Sequence, residues 1–330
     1  MDYNIELIQI AIGTREELSR MPSDAEWDAL FNEALHQGLI GITYFGVKKL
    51  VRQSRCTIPH KILLRWSGAA VQLKDQNAHV TTQGERVLRY FHEAGFQAII
   101  LKGQSHLPNY PEQLREFRAH GDIDVWVRGV SKKQVLKFVH NDYPDTEYTY
   151  LHIHLPVFSD TSVEVHYRPS YLFNPLFNHR LQLWTDSIDL EALHNEYAFR
   201  NFNAIFQPLH LYRHLAWEGI SIRQILDYYF LLKQNPEIDN ATLKRLGIDE
   251  FQKDLTEVVY HLFENKSLNS SSSKKLLDDI LIYGRLGLNP IKRTRYRIFH
   301  LSKFYSKDIL WMPLAQLYQN IWCFYVRLFY

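Results

Sequence analysis

Only two cysteines, Cys56 and Cys323, occur in 330 residues, and their wide separation excludes a Cys-x-x-Cys metal or redox motif. Excess charge of one sign is missing too. Lys+Arg total 38 against 36 Asp+Glu, a net charge of +2, so no chain-wide attraction draws the protein to nucleic acid. There is no His-Glu-x-x-His zinc signature and no internal repeat. Met1 to Glu6 carry neither the basic region nor the apolar core of a signal peptide, so a cytoplasmic protein is expected. The longest stretch without formal charge is Ile309 to Val326, but Pro313, Gln316, Gln319 and Asn320 interrupt it. A spanning helix needs about twenty mostly apolar residues. The amides recur at helical spacing, so the segment is expected to form a buried or dimerising helix with one polar face and no transmembrane span.

What is present is ordinary for a globular chain: 46% hydrophobic and 22% charged residues, with aromatics raised to 14%. The length suffices for two domains or one large one. Residues 1–95 read as helices. Ser23-Asp24-Ala25-Glu26 has the form of a capping box, with Trp27, Leu30, Phe31 and Leu35 recurring on one face. A long helix is expected from Pro59 to Ala94, stopped by Gly95. Residues 96–207 change to strand, turn, strand, helix and hairpin, a small mixed sheet. Residues 208–330 return to helices over Leu209 to Glu218, Ser221 to Lys233 and Ala241 to Glu264. The fold class expected is α+β, a small sheet flanked by two helical regions. Lys266 to Lys275, with its four-serine run, reads as a mobile loop. Beyond it Arg285, Lys292, Arg293, Arg295, Arg297, Lys303 and Lys307 read as a solvated basic face.

Chemistry concentrates in the middle block. A strand, Ala98 to Leu101, runs into Lys102-Gly103-Gln104-Ser105, and a second strand carries Asp122 and Asp124. Strand side chains alternate, so the two aspartates share a face. Adjacent carboxylates repel, and a hard divalent cation such as Mg²⁺ is the usual partner that offsets the repulsion. Glu164 in Ser162-Val163-Glu164-Val165-His166 offers a third acid on another alternating strand. Gly103 allows the backbone close to a triphosphate, Ser105 supplies a hydroxyl, and Lys102 and Arg118 supply positive charge. Two metal ions would hold the attacking and leaving oxygens in line. Glu164 would complete the site and take the proton of the attacking hydroxyl.

These residues together resemble the nucleotidyltransferase superfamily of polymerase-beta-like fold. The resemblance is stronger to a large bacterial family of uncharacterised nucleotidyltransferases, and it covers about residues 96–235. That family's pattern of a Lys-Gly turn, a Tyr, Arg-x-x-x-Asp-x-Asp and an acid-x-His strand maps onto Lys102 and Gly103, Tyr110, Arg118 with Asp122 and Asp124, and Glu164 with His166. Its His- and Asp-bearing helical region maps onto His210, His214, Arg223 and Asp227. The superfamily's adjacent Gly-Ser pair is here separated by Gln104. The resemblance implies a Mg²⁺-dependent transfer of a nucleoside monophosphate from a triphosphate, ATP first among them, to an acceptor hydroxyl of unknown identity. A silent nucleotide-binding or interaction protein on the same fold is the alternative, and nucleic-acid binding through the basic segment ranks behind both.

The histidines admit a second reading. His152, His154 and His166 fall on adjacent strands, and His210 and His214 share a helix face. The i,i+4 spacing of His210 and His214 is that of many zinc ligands, but with no cysteine to join the histidines a structural zinc site ranks behind His166 as a hydrogen-bonding neighbour of Glu164 or of phosphate. His210, His214 and Asp227 serve equally well as buried polar links between the helices and the sheet.

Overall fold

The computed structural model describes residues 3–129, 131–217, 219–286, 308 and 310–329. Four helices lead: α1 (Tyr3–Ile12), α2 (Asp24–His36), α3 (Ile40–Arg52) and α4 (His60–Glu93). The expected capping box is formed. Ser23 Oγ accepts from the Glu26 amide at 3.4 Å, and the Glu26 carboxylate accepts from the Ser23 amide at 2.8 Å. Trp27, Leu30 and Phe31 are buried as expected, but Leu35 is 49% exposed. At 3.6 residues per turn Leu35 lies about 80° round the helix from Trp27, whereas Ala34 falls almost in line with it and takes the buried place. Trp66 of α4 meets Trp27 and Phe31 edge-on, with ring centroids 6.0 and 5.7 Å apart, which fixes α4 across α2.

Helices α1 and α3 touch backbone to backbone at Gly46. A Cβ there would lie 2.2 Å from the Leu7 carbonyl oxygen, and main chain cannot swing aside. Gly46→Ala is therefore expected to cost about 1–3 kcal/mol by forcing the helices apart, measurable as a lowered urea midpoint.

The sheet has the order β1-β2-β4-β3, with β1 (Gln97–Ile100), β2 (Ile123–Arg128), β3 (His152–His154) and β4 (Val163–His166). Pairs β1–β2 and β3–β4 are antiparallel and the central pair β2–β4 is parallel. Between β1 and β2 run a 3₁₀ turn, Gly103–Asn109, and the short helix α5 (Glu112–Arg115). Helix α6 (Lys132–Asp142) makes the crossover after β2, started by the Ser131 cap. Alternation sends Ile123, Val125, Val127, Val163, Val165 and Ile153 into one apolar layer with Val80, Val87 and Phe91 of α4 and Val135 and Val139 of α6. The opposite face carries the acids, because Asp124 pairs with Glu164 and Trp126 with His166 across the parallel ladder.

The remaining helices are α7 (Pro175–Asp186), α8 (Glu196–Trp217), α9 (Ile222–Lys233), α10 (Asn240–Leu246), α11 (Asp249–Glu264), α12 (Ser271–Leu286) and α13 (Trp311–Phe329). The single helix expected over Ala241 to Glu264 is two, broken where Gly247 turns left-handed at φ +74°. The loop expected over Lys266 to Lys275 ends early: residues 265–270 connect the helices, but from Ser271 on the chain is α12. Ser270 Oγ accepts from the Ser273 amide at 2.9 Å, while Ser270 and Ser272 donate to Asp254 and Ser273 donates to Glu257. Serine favours helix starts, and here it both begins α12 and straps it to α11. One large core joins Leu7 and Trp27 of the leading helices to Leu209, Tyr228 and Leu255 of the later ones.

In the basic segment Arg285 falls at the end of α12, and Lys292, Arg293, Arg295, Arg297, Lys303 and Lys307 lie outside the described residues. Helix α13 packs Trp322 against Tyr150 and Tyr167, with the Arg168 guanidinium 4.8 Å over its ring. Leu314, Leu317, Ile321 and Phe324 on its other side are exposed. Among the described residues no helix is long and apolar enough to cross a membrane.

Candidate active site

The turn after β1 is built from its glycine outward. Gly103 adopts φ +64°, a left-handed conformation that costs glycine little, and opens the 3₁₀ turn. Gln104, which separates Gly103 from Ser105, donates its amide to the Val80 carbonyl at 2.9 Å and rests against Gly84, pinning the turn to α4. Lys102, Gly103 and His106 border a cleft of about 760 Å³. Ser105 does not border it, and its hydroxyl is buried with no hydrogen-bond partner.

Asp122 and Asp124 both line this cleft, as their spacing implies. Asp122 stands exposed just ahead of β2, while Asp124 is 7% exposed within it. Asp124 Oδ1 is met by Lys102 Nζ at 2.7 Å and His166 Nε2 at 2.9 Å. Burial alone would raise the Asp124 carboxyl, but Lys102 and His166 outweigh it and hold the group far below the usual carboxylate range. Asp122 shifts the other way. Partial burial raises it, and the neighbouring charges of Asp124 and Glu164 add to the rise. Glu164 sits behind Asp124, away from the cleft lining, with Oε2 3.3 Å from both His166 Nε2 and His152 Nδ1. Against its desolvation, the His166 hydrogen bond keeps Glu164 ionised, its pKa lowered.

Three carboxylates thus converge on one end of the sheet, and the outermost is destabilised by the other two. A divalent cation fits there: Asp122 offers oxygens that make no hydrogen bond among the described residues, and both contacts on Asp124 fall on Oδ1. Asp124, Glu164 and His166 also bring ligand atoms within 4.8 Å of one another.

Arg118 borders the cleft but is fully engaged. Its Nε and Nη2 grip the two oxygens of Asp227 at 3.0 and 2.6 Å, and Nη1 donates to the Ala119 carbonyl. Tyr110 donates to Asp227 Oδ1 at 2.6 Å. Tyr110, Arg118 and Asp227 therefore form one buried link from the turn region to α9, and the cation that faces the cleft beside it is Arg223. Arg223 Nη1 donates to the Ala119 carbonyl at 3.1 Å, and its Nε is buried with no hydrogen-bond partner. His210 and His214 line the same cleft with ring centroids 4.0 Å apart. Burial, with His214 and Lys102 adding to it, pushes the His210 pKa far down, so its ring is neutral.

Sequence reasoning missed the far wall of the cleft: Leu35 to Gly38 at the C-terminal end of α2, Ser221 at the start of α9, and His106, His120 and Gln207. Burial pushes His106 and His120 down to about 4, so both rings are neutral, and His106 meets the Gln207 side chain at 2.8 Å. Their only signal was position, directly after the Lys-Gly turn and between Arg118 and Asp122.

No curated protein and no solved structure matches this chain. Residues 23–261 match the family described as uncharacterised nucleotidyltransferase, a span that takes in the sheet, the cleft and helices α2 to α10 with most of α11. The chain therefore belongs to that nucleotidyltransferase family.

Proposed function

We propose that the protein is a divalent-metal-dependent nucleotidyltransferase that moves a nucleoside monophosphate from a nucleoside triphosphate, ATP first among them, to an acceptor hydroxyl. The observation that carries this reading is the meeting of Asp122 and Asp124 with the Lys102-Gly103 turn in the lining of one cleft, with Glu164 paired to Asp124 behind them. Mg²⁺ held by Asp122 and Asp124, with Glu164 behind them, would supply charge neutralisation at the phosphates. The Gly103 turn admits the triphosphate backbone-close. Lys102, held 2.7 Å from Asp124, reaches those phosphates by rotating its side chain, which leaves Asp124 to the cation. Arg223, the neutral ring of His210 and the His214 side chain face the base or the acceptor across the cleft. The acceptor oxygen bonds to the α-phosphorus as the bond to the bridging oxygen of pyrophosphate breaks, and the hydroxyl's proton passes to solvent or to the departing pyrophosphate. Glu164 lies off the cleft lining, which favours a supporting part through His166 and Asp124 over direct proton acceptance.

Calorimetric titration of each triphosphate, with and without Mg²⁺, tests the reading. Mg²⁺-dependent binding of one triphosphate, lost in Asp124→Asn, supports it; no binding of any triphosphate to the folded protein removes it. Ser105, buried off the cleft, favours a second reading, a nucleotide binder without turnover. Mg²⁺-dependent binding with no pyrophosphate released to any acceptor would select that one.

A further inference from the structure

On the acid-bearing face of the sheet, β3 adds a group of donors that the transfer reaction leaves unused. The antiparallel β3–β4 register sets His154 opposite Glu164 and His152 opposite His166. Two-residue alternation keeps His152 and His154 on one face, with Ile153 turned into the core between them. His152 Nε2 and His154 Nε2 face each other at 3.2 Å, and His152 Nδ1 lies 3.3 Å from Glu164 Oε2. That Nδ1 is buried and makes no hydrogen bond, although a carboxylate oxygen stands beside it. Buried polar atoms are ordinarily satisfied, so a nitrogen held against an anion without a hydrogen bond marks a donor pair set for a third party.

We infer that His152, His154 and Glu164 form a binding site for a zinc-type transition-metal dication, separate in its ligand chemistry from the Mg²⁺ expected at Asp122 and Asp124. The donor set decides the class of ion. Imidazole nitrogen suits zinc, cobalt and nickel, whereas Mg²⁺ takes oxygen. The ligand atoms of the three side chains lie within 4.8 Å of one another. Two donors on one tetrahedral ion stand about 3.4 Å apart, so side-chain rotations that move the ligand atoms by about an ångström close the set. Three protein ligands leave a fourth position open, the arrangement of sites that hold a water or a substrate. His166 stands at the rear, its Nε2 shared between Asp124 and Glu164, and joins this site to the cleft acids. None of the three ligands borders the cleft, so the inference stands whether or not the cleft transfers nucleotides.

The test uses the full chain, stripped with chelator and titrated with Co²⁺ in the presence of excess Mg²⁺, read by visible absorption. One equivalent of Co²⁺ is expected to give a ligand-field band that Zn²⁺ abolishes and Mg²⁺ leaves unchanged. His152→Asn and His154→Gln should each weaken binding by about 10-fold or more, and Asp122→Asn should not. Absence of the band in folded protein overturns the inference, as does displacement by Mg²⁺ or wild-type affinity in the double histidine variant. Should the double variant fail to fold, His154→Gln alone decides, because that side chain is only half-buried.

Discussion

Asp122→Asn is expected to reduce nucleotidyl transfer by about 10³-fold or more while leaving the protein as stable as wild type, or more so. Asp122 is exposed and precedes the first residue of β2, so the change removes no packing and no hydrogen bond among the described residues. Substitutions of that kind shift stability by about 0.5 kcal/mol or less. Partial burial and the charges of Asp124 and Glu164 raise its carboxyl pKa, which means that the fold disfavours the ionised form. An amide removes that repulsion. The sign is therefore a gain or no change in thermal midpoint together with a loss of pyrophosphate release, and the two are measured on one preparation. Asp124→Asn separates the effects less cleanly, because Lys102 and His166 would lose the carboxylate that both contact. Transfer activity that survives Asp122→Asn would sink the proposed role of the acid pair.

The reason Asp122 is the better probe was only half readable in the sequence. Alternation over Asp122 to Val127 put both aspartates on one face, and the Val-Glu-Val strand put Glu164 on a face of its own. Both are local patterns with a period of two, and the parallel register that sets Asp124 against Glu164 follows from packing the valines to the core. Which aspartate is exposed and which is gripped by Lys102 depends on where β2 begins, a matter of one residue. The capping box at Ser23 and the stop at Gly95 were legible for the same local reason. The serine run misled because its composition suits a loop, and only the acids of α11 turn it into a helix start. The far wall of the cleft was illegible, since His36 and Gln37 stand alone at a helix end, far in sequence from the acids, and reach the site only through tertiary packing. Arg118 shows the limit most plainly. Beside an Asp-x-Asp it reads as a phosphate cation, yet its carboxylate partner lies 109 residues further along the chain.

That pairing leads to the largest expected effect on stability. Asp227→Ala should destabilise the protein by about 3–5 kcal/mol, because it leaves the Arg118 guanidinium buried without its counter-ion. Arg118 and Asp227 are 4% and 2% exposed, and no water-facing rotamer relieves a charge held that deep. Burial alone would raise the Asp227 carboxyl, but Arg118 outweighs it and holds the pKa below its usual value. A lowered folded-state pKa contributes stability above the unfolded value of about 4, and that contribution is lost as pH falls through the folded value. Wild type should therefore weaken on acidification over that range, and Asp227→Ala, already without the pair, should show a flatter acid limb in urea unfolding. Tyr110→Phe removes one hydrogen bond to the same carboxylate and should cost only about 1 kcal/mol, which separates the ion pair from the rest of the network. An apolar double replacement, Arg118→Met with Asp227→Leu, should recover most of the lost stability, since the penalty lies in the orphaned charge. If stability returns in that variant while transfer does not, the pair also positions the Arg223 side of the cleft. If Asp227→Ala unfolds at the wild-type midpoint, the link between the turn and α9 is not what holds them together.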